Sequence, residues 1–117
     1  MKEEEDALDM SEIRIAIPCV GEATLQAQVS PHFGRCDSYA IVILQGSKIA
    51  AVESLSNANH TDSSSPVEAL AEHSVGLMLV AGMGMRPLLA FRQHGIEVNC
   101  GVADTVADAI ESYLNTL

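Results

Sequence analysis

The sequence predicts a single α/β domain built on a five-stranded mixed sheet with three helices, and three observations carry that prediction. Apolar residues make up 48% of the 117, yet aromatics are only 3% and tryptophan is absent. Such an aliphatic mix suits buried strands covered by helices. Two strand-like runs are joined by Gln45-Gly46-Ser47-Lys48, a hairpin signature. The rest of the chain then alternates helix-type and strand-type patterns, which calls for right-handed crossovers that lay helices on the sheet faces. A chain of this length holds one domain.

In order, residues 1–11 are charged and open on an acidic run, which reads as a flexible tail ahead of one domain at 12–117. Ile13, Ile15 and Ile17 alternate with Arg14 and Ala16, a first strand that Pro18 is expected to stop. Residues 18–36 lack periodicity and carry Gly21, Pro31 and Gly34, a long loop of the kind that often carries function. Tyr39–Leu44 is continuously apolar and Ile49–Leu55 follows it as the second arm of the hairpin. Residues 56–65 are polar and form a second long loop. Ser65-Pro66-Val67-Glu68 is a capping box that starts a helix. Leu77–Ala81 reads as a buried strand, and Gly82-Met83-Gly84-Met85 as a turn. A helix from about Arg86 ends at Gly95. Ile96, Val98 and Cys100 form the last strand. The final helix starts near Asp104 or Thr105 and aligns Val106, Ala109, Ile110, Tyr113, Leu114 and Leu117 on one stripe.

Charge and cysteine content exclude several functions. The chain carries 16 acids and 6 bases, a net charge of −10. Nucleic-acid binding needs several bases on phosphates, so the partner is not expected to be nucleic acid. No apolar run is long enough for a bilayer and the N-terminus is acidic where a secretory signal would be basic, so neither membrane insertion nor export is expected. Cys19, Cys36 and Cys100 are an odd set without CxxC spacing, read as free thiols in a reducing cytoplasm.

The block Ser30-Pro31-His32-Phe33-Gly34-Arg35-Cys36 resembles the hallmark of the dinitrogenase iron–molybdenum cofactor biosynthesis family, which includes NifX-type carriers, the C-terminal part of NifB and the orange protein. Ile13–Pro18, Ala81-Gly82-Met83-Gly84 and the stretch from Gly95-Ile96-Glu97-Val98 through the last helix agree with it, so the resemblance spans roughly 12–115. It implies a ribonuclease H-like fold and a role in binding, storing or delivering a metal–sulfur cluster that contains molybdenum with iron or copper, held noncovalently or by weak ligation. Family members often carry a histidine-rich stretch after the hairpin; here only His60 stands there. The expected cofactor-binding set is Ser30, His32, Phe33, Gly34, Arg35, Gly82, Met83, Gly84 and Arg86, and the candidate metal ligands are Cys36, His32 and His60.

The same residues make sense as an anion pocket. A cluster of this kind is an anion with a soft sulfide surface. Arginine charge, backbone N–H groups at glycine turns and helix N-termini, and soft or imidazole groups suit it. In a parallel sheet the turn after Ala81 lies at the carboxyl edge. If the first strand runs parallel, its loop joins that turn, and Arg35 and Arg86 share one rim.

Each residue also has a plainer reading. His32 caps a turn or contacts cargo; His60 is solvated or a ligand; His73 and His94 serve helix C-termini. Cys36, beside Arg35, is read as an activated thiolate and cluster ligand or as neither; Cys19 is a weaker candidate. Cys100 is read as core. Met83 and Met85 either pack or touch cargo. The glycine turn fails as a dinucleotide motif, because Pro87 takes the third glycine position. The central strands lack the acids a two-metal nuclease needs, and no serine sits in a hydrolase elbow.

The expected function is therefore a non-enzymatic carrier of a metal–sulfur cluster, a monomer or weak homodimer working with cluster donor or acceptor proteins. The alternatives are a metal-free regulatory or scaffold module that uses the pocket for a partner or small anion, and an enzyme with Cys36 as nucleophile.

Overall fold

Strand β1 (Glu12–Val20) is the spine of the sheet: its buried isoleucines face one way and Ala16 the other. The computed structural model describes residues 12–57, 66–102 and 104–116. The further elements are β2 (Gln28–Val29), a 3-10 turn (Phe33–Arg35), β3 (Ser38–Gln45), β4 (Lys48–Ser56), α1 (Pro66–Glu72), β5 (Leu77–Val80), α2 (Met85–Gln93), β6 (Glu97–Cys100) and α3 (Val106–Asn115). The strand order is β4-β3-β1-β5-β6, with β2 as a short sixth strand on β1. β1 runs antiparallel to β3 and parallel to β5, and β6 is parallel to β5. Gln45 pairs with Lys48 across a two-residue turn in which Gly46 takes φ 64, the left-handed backbone that glycine supplies at least cost.

Alternation along the strands sorts the core into two layers. Ile15, Ile17, Val42, Leu44 and Leu79 meet Val106, Ala109 and Ile110 of α3 on one face. Ala16, Tyr39, Ile41, Met78 and Val80 meet Val67 and Leu70 of α1 and Phe91 of α2 on the other. Two helix ends fall where the sequence signals placed them. Gly95 takes φ 77 after α2, and Thr105 caps α3 in a box with Asp108. The expected tail at 1–11, Ser65 of the first capping box, His60 and Leu117 lie outside the described residues.

Two expectations are corrected. Pro18 does not end β1, which continues to Val20. The Pro18 carbonyl accepts from Ser30 N–H at 2.8 Å, on the side away from β3. The N–H that proline lacks would point to that same side, between the last β5 rung at Ala16 and the start of β2 at Cys19, so no ladder bond is forfeited. The loop at 18–36 is also less irregular than its composition suggested, because it contains β2 and the 3-10 turn.

Candidate functional site

Topology alone brings distant segments to one edge. The carboxyl ends of β1, β5 and β6 share a rim because these strands are parallel. Cys19 pairs with Ser38, and Ser38 with Ser56, so β3 begins and β4 ends at the same rim. The loop before β3 and the turn after β5 enclose a hollow of about 500 Å³ there, lined by Pro31, His32, Phe33, Arg35, Gly82, Met83, Gly84 and Pro87.

The loop is held in shape by its own polar groups. Ser30 is buried, and its hydroxyl donates to the His32 carbonyl at 3.0 Å and accepts the His32 N–H at 3.2 Å. Ser30 therefore shapes the turn from behind instead of lining the hollow. Asp37 accepts from the Gly21 N–H at 2.7 Å, and the Ser38 hydroxyl donates to the Gly21 carbonyl at 2.7 Å. The Asn57 side-chain amide donates to the Cys36 carbonyl at 2.9 Å, tying the end of β4 to the arginine-bearing turn.

Aromatic side chains form the floor. The Phe33 ring meets Phe91 edge-on at 5.3 Å and Tyr39 at 5.8 Å, separations at which aromatic pairs attract. The chain has two Phe and two Tyr in all, and three of those four lie here, joining the first loop, β3 and α2. The Tyr39 hydroxyl donates to the Phe33 carbonyl at 3.3 Å, and burial pushes its pKa upward. Phe33 was legible from the motif. Tyr39 read only as the start of an apolar strand, and Phe91 was not singled out.

The electrostatics favour an anion. Among the described residues, ion pairs are confined to Arg14, with Glu12 and Glu53. Arg35 lines the hollow and has no carboxylate partner among the described residues. Arg86 is exposed in the first turn of α2 and, unlike its neighbours Gly84 and Pro87, does not line the hollow. The first N–H groups of α2 have no partner within the helix, and Pro87 supplies none, which leaves those of Met85 and Arg86 at the mouth. Neither Gly82 nor Gly84 has a left-handed φ. A Cβ added at Gly82 would meet nothing within 4 Å, and one at Gly84 only the Pro87 ring at 3.8 Å. The fold does not demand glycine at 82; what glycine does there is leave the backbone open.

The cysteines depart from expectation. Cys36 is 6% exposed and packs under the rim beside Tyr39 and Phe33. Burial raises its pKa, the opposite of an Arg35-activated thiolate, because Arg35 points to the exposed side of the turn. Cys36 does not line the hollow. Cys19 is buried with its thiol 3.3 Å from the Ile17 carbonyl, and burial pushes its pKa to about 11. Cys100, expected in the core, is exposed at the end of the edge strand β6. His73 and His94 sit at helix ends with Nδ1 2.8 Å from the Ala69 carbonyl and 3.0 Å from the Ala90 carbonyl. Among the described residues no three His, Cys, Asp or Glu side chains group to hold a metal ion.

A mixed sheet of this order with helices on both faces defines an α/β domain, open at its carboxyl rim. Residues 14–116 match the family described as dinitrogenase iron-molybdenum cofactor, and the chain belongs to that family. It is 26% identical over 91 residues to an uncharacterized protein of Methanocaldococcus jannaschii, covering 74% of this chain and 77% of that one. The crystal structure of PH0822 superposes with a TM-score of 0.80 at 26% identity, covering 89% of this chain and 92% of the other. The apo form of the orange protein from Desulfovibrio gigas superposes with a TM-score of 0.76 at 26% identity, covering 88% of each chain. Among the described residues no helix is long and apolar enough to cross a membrane.

Proposed function

We propose that this chain holds an intact anionic metal–sulfur cluster in the rim hollow and passes it between donor and acceptor proteins without catalysing a reaction. The observation that carries the reading is Arg35, without a carboxylate partner among the described residues, facing the open backbone at Gly82–Gly84 across a hollow of about 500 Å³ in a chain of net charge −10. The donor set fits such a cargo better than a bare metal ion. A metal ion needs several ligands brought together, whereas an assembled cluster presents sulfides that accept hydrogen bonds and positive charge over its whole surface.

In this reading Arg35 and Arg86 supply charge, the backbone at Gly82 and Gly84 and the start of α2 supply N–H donors, and His32 and Met83 supply imidazole and soft thioether contacts. Phe33 forms an apolar wall that Ser30 and Gly34 help to place within its turn. His60, four residues beyond the end of β4 in sequence, is kept as a candidate ligand. Cys36 drops out as a thiolate ligand because it is buried behind Phe33. Molybdenum with iron or copper is the cargo suggested by membership of this family. Three free cysteines suit the reducing cytoplasm.

The test is anaerobic loading of the full chain with tetrathiomolybdate and Cu(I), and separately with an iron–sulfur precursor, followed by gel filtration, metal analysis and an absorption spectrum. A coloured complex of fixed stoichiometry that Arg35→Glu loses supports the reading. Protein that elutes free of metal under every condition, or loading that Arg35→Glu leaves intact, rejects it.

A further inference from the structure

The sheet ends on β4 at one side and on β6 at the other, and the two edges are built differently. β4 is blunted by a bulge: Ile43 pairs with Ala51 and Leu44 with Ile49, which leaves Ala50 as an extra residue. β6 pairs residue for residue with β5 and holds no proline or lysine. The Glu97 N–H donates to the Gly76 carbonyl at 3.1 Å. The ladder therefore turns Glu97 and Asn99 toward β5 and aims the N–H and C=O of Val98 and Cys100 at the open side. Among the described residues these groups have no backbone partner beyond the sheet. Grooves flank the same edge. One of about 500 Å³ runs along it, lined by Arg92, Gly95, Ile96, Glu97, Val98 and Asn99. Another of about 150 Å³ lies on the α3 face, where Asn99 adjoins Val102 and Tyr113. α2 links the parallel strands β5 and β6 and lies against β6. Leu88, half-buried, and Leu89, exposed, stand one turn before Arg92 and share the flank of α2 that looks over the edge.

We infer that β6 pairs antiparallel with β6 of a second copy, about a two-fold axis that passes through the sheet at Asn99. The outward groups of the two strands then match, as an isologous interface requires. Val98 exchanges both backbone bonds with Cys100 of its partner, and Cys100 does the same with Val98. Asn99 meets Asn99 on the axis as the non-bonded pair, with Cα atoms about 4.5 Å apart. In this register Glu97 falls opposite Gly101 and not opposite another acid. A helix centred over β5 and β6 finds its copy two strand spacings away, about 10 Å, the separation at which helices pack. Leu88 and Leu89 therefore close on their counterparts across the seam. An isolated extended peptide would satisfy the same backbone groups but leave that flank of α2 uncovered. A second copy meets both, and it extends the helical layers on the two faces of the sheet. The axis carries the two hollows to opposite ends of the dimer, so pairing leaves both open.

The experiment uses the full chain. In sedimentation velocity the wild type shows a monomer–dimer equilibrium. Asn99→Asp and Asn99→Lys each bring like charges together on the axis and weaken self-association at least about tenfold. Mixed together they restore a heterodimer. Asn99 is exposed, so both variants keep the fold. Val98→Pro removes an N–H that β5 does not use, and gives a folded monomer. Asn99→Cys in a Cys100→Ser background is trapped as a covalent dimer by oxidised glutathione, because about 4.5 Å between Cα atoms lies within disulfide reach. A wild type that stays monomeric at millimolar concentration overturns the inference. A dimer that both charge variants leave intact, or folded charge variants that fail to pair when mixed, overturns it equally. Metal loading plays no part in these readouts, so they stand or fall apart from the cluster reading.

Discussion

Gly82→Ala separates what the fold needs from what the hollow needs. Gly82 has no left-handed φ and its added Cβ would meet nothing within 4 Å. Alanine should therefore narrow the unfolded ensemble without straining the folded one, stabilising by about 0.4–1 kcal/mol. At about 2.1 cal/mol/K per residue the unfolding entropy of a chain this size is about 0.25 kcal/mol/K, so Tm should rise by about 2–4 °C. The same methyl stands over the backbone that faces Arg35. If it costs the cargo one charge-assisted hydrogen bond, about 1.5–3 kcal/mol, affinity falls roughly 10- to 150-fold. Gly76→Ala is the matched control: its Cβ also meets nothing within 4 Å, but it lies at the opposite rim, where its N–H donates to the Arg14 carbonyl at 3.0 Å. It should leave loading unchanged. The assay is a thermal melt of each variant beside a tetrathiomolybdate–copper titration. Loading by Gly82→Ala equal to wild type, or a loss of more than about 1 kcal/mol in its stability, would refute the reasoning.

Further outcomes follow from the core and the thiols. Phe91→Ala removes a fully buried ring that meets Phe33 at 5.3 Å, and should cost about 3–5 kcal/mol in urea unfolding; a cost under about 1 kcal/mol would mean that the aromatic floor does not brace the domain. Of the three free cysteines, Cys100 alone is exposed, so iodoacetamide at neutral pH should label it first, with Cys19 and Cys36 reacting only on unfolding; rapid labelling of Cys36 would revive the nucleophile reading. Stability should decline at alkaline pH. Below about pH 8.5 both folded and unfolded chains keep their thiol protons. Above it the unfolded chain releases protons that the folded chain retains, and the Cys19 share of the loss is complete once pH passes about 11. Urea midpoints from pH 7 to 11 should fall, less steeply in Cys19→Ala, and a flat profile would contradict the burial argument.

The fold was legible because its signals are local. Gly46 and Gly95 mark turns that need left-handed backbone, Thr105 and Asp108 form a cap within four residues, and the strand patterns alternate or run apolar according to burial. What escaped was what depends on neighbours. Pro18 looked like a terminator, yet it sits where β1 has no ladder partner on that side. Cys100 alternates with Ile96 and Val98, a pattern that marks a face but not whether that face is covered. Cys36 stands next to Arg35 in sequence, and the 3-10 turn sends one to the core and the other to solvent. The convergence of residues 31–35 with 82–87 followed from one topological premise, that β1 and β5 are parallel, whereas the aromatic brace of Tyr39 and Phe91 beneath it needed coordinates.

The central claim concerns place: cargo sits between the arginine-bearing turn and the glycine turn. Hydrogen–deuterium exchange on the full chain, before and after loading with the tetrathiomolybdate–copper cluster, tests it most directly. Slowed exchange confined to residues 31–35 and 82–86 is the predicted result. Protection centred instead on the second face of the sheet, around Asn99, Val102 and Ser112, would contradict it.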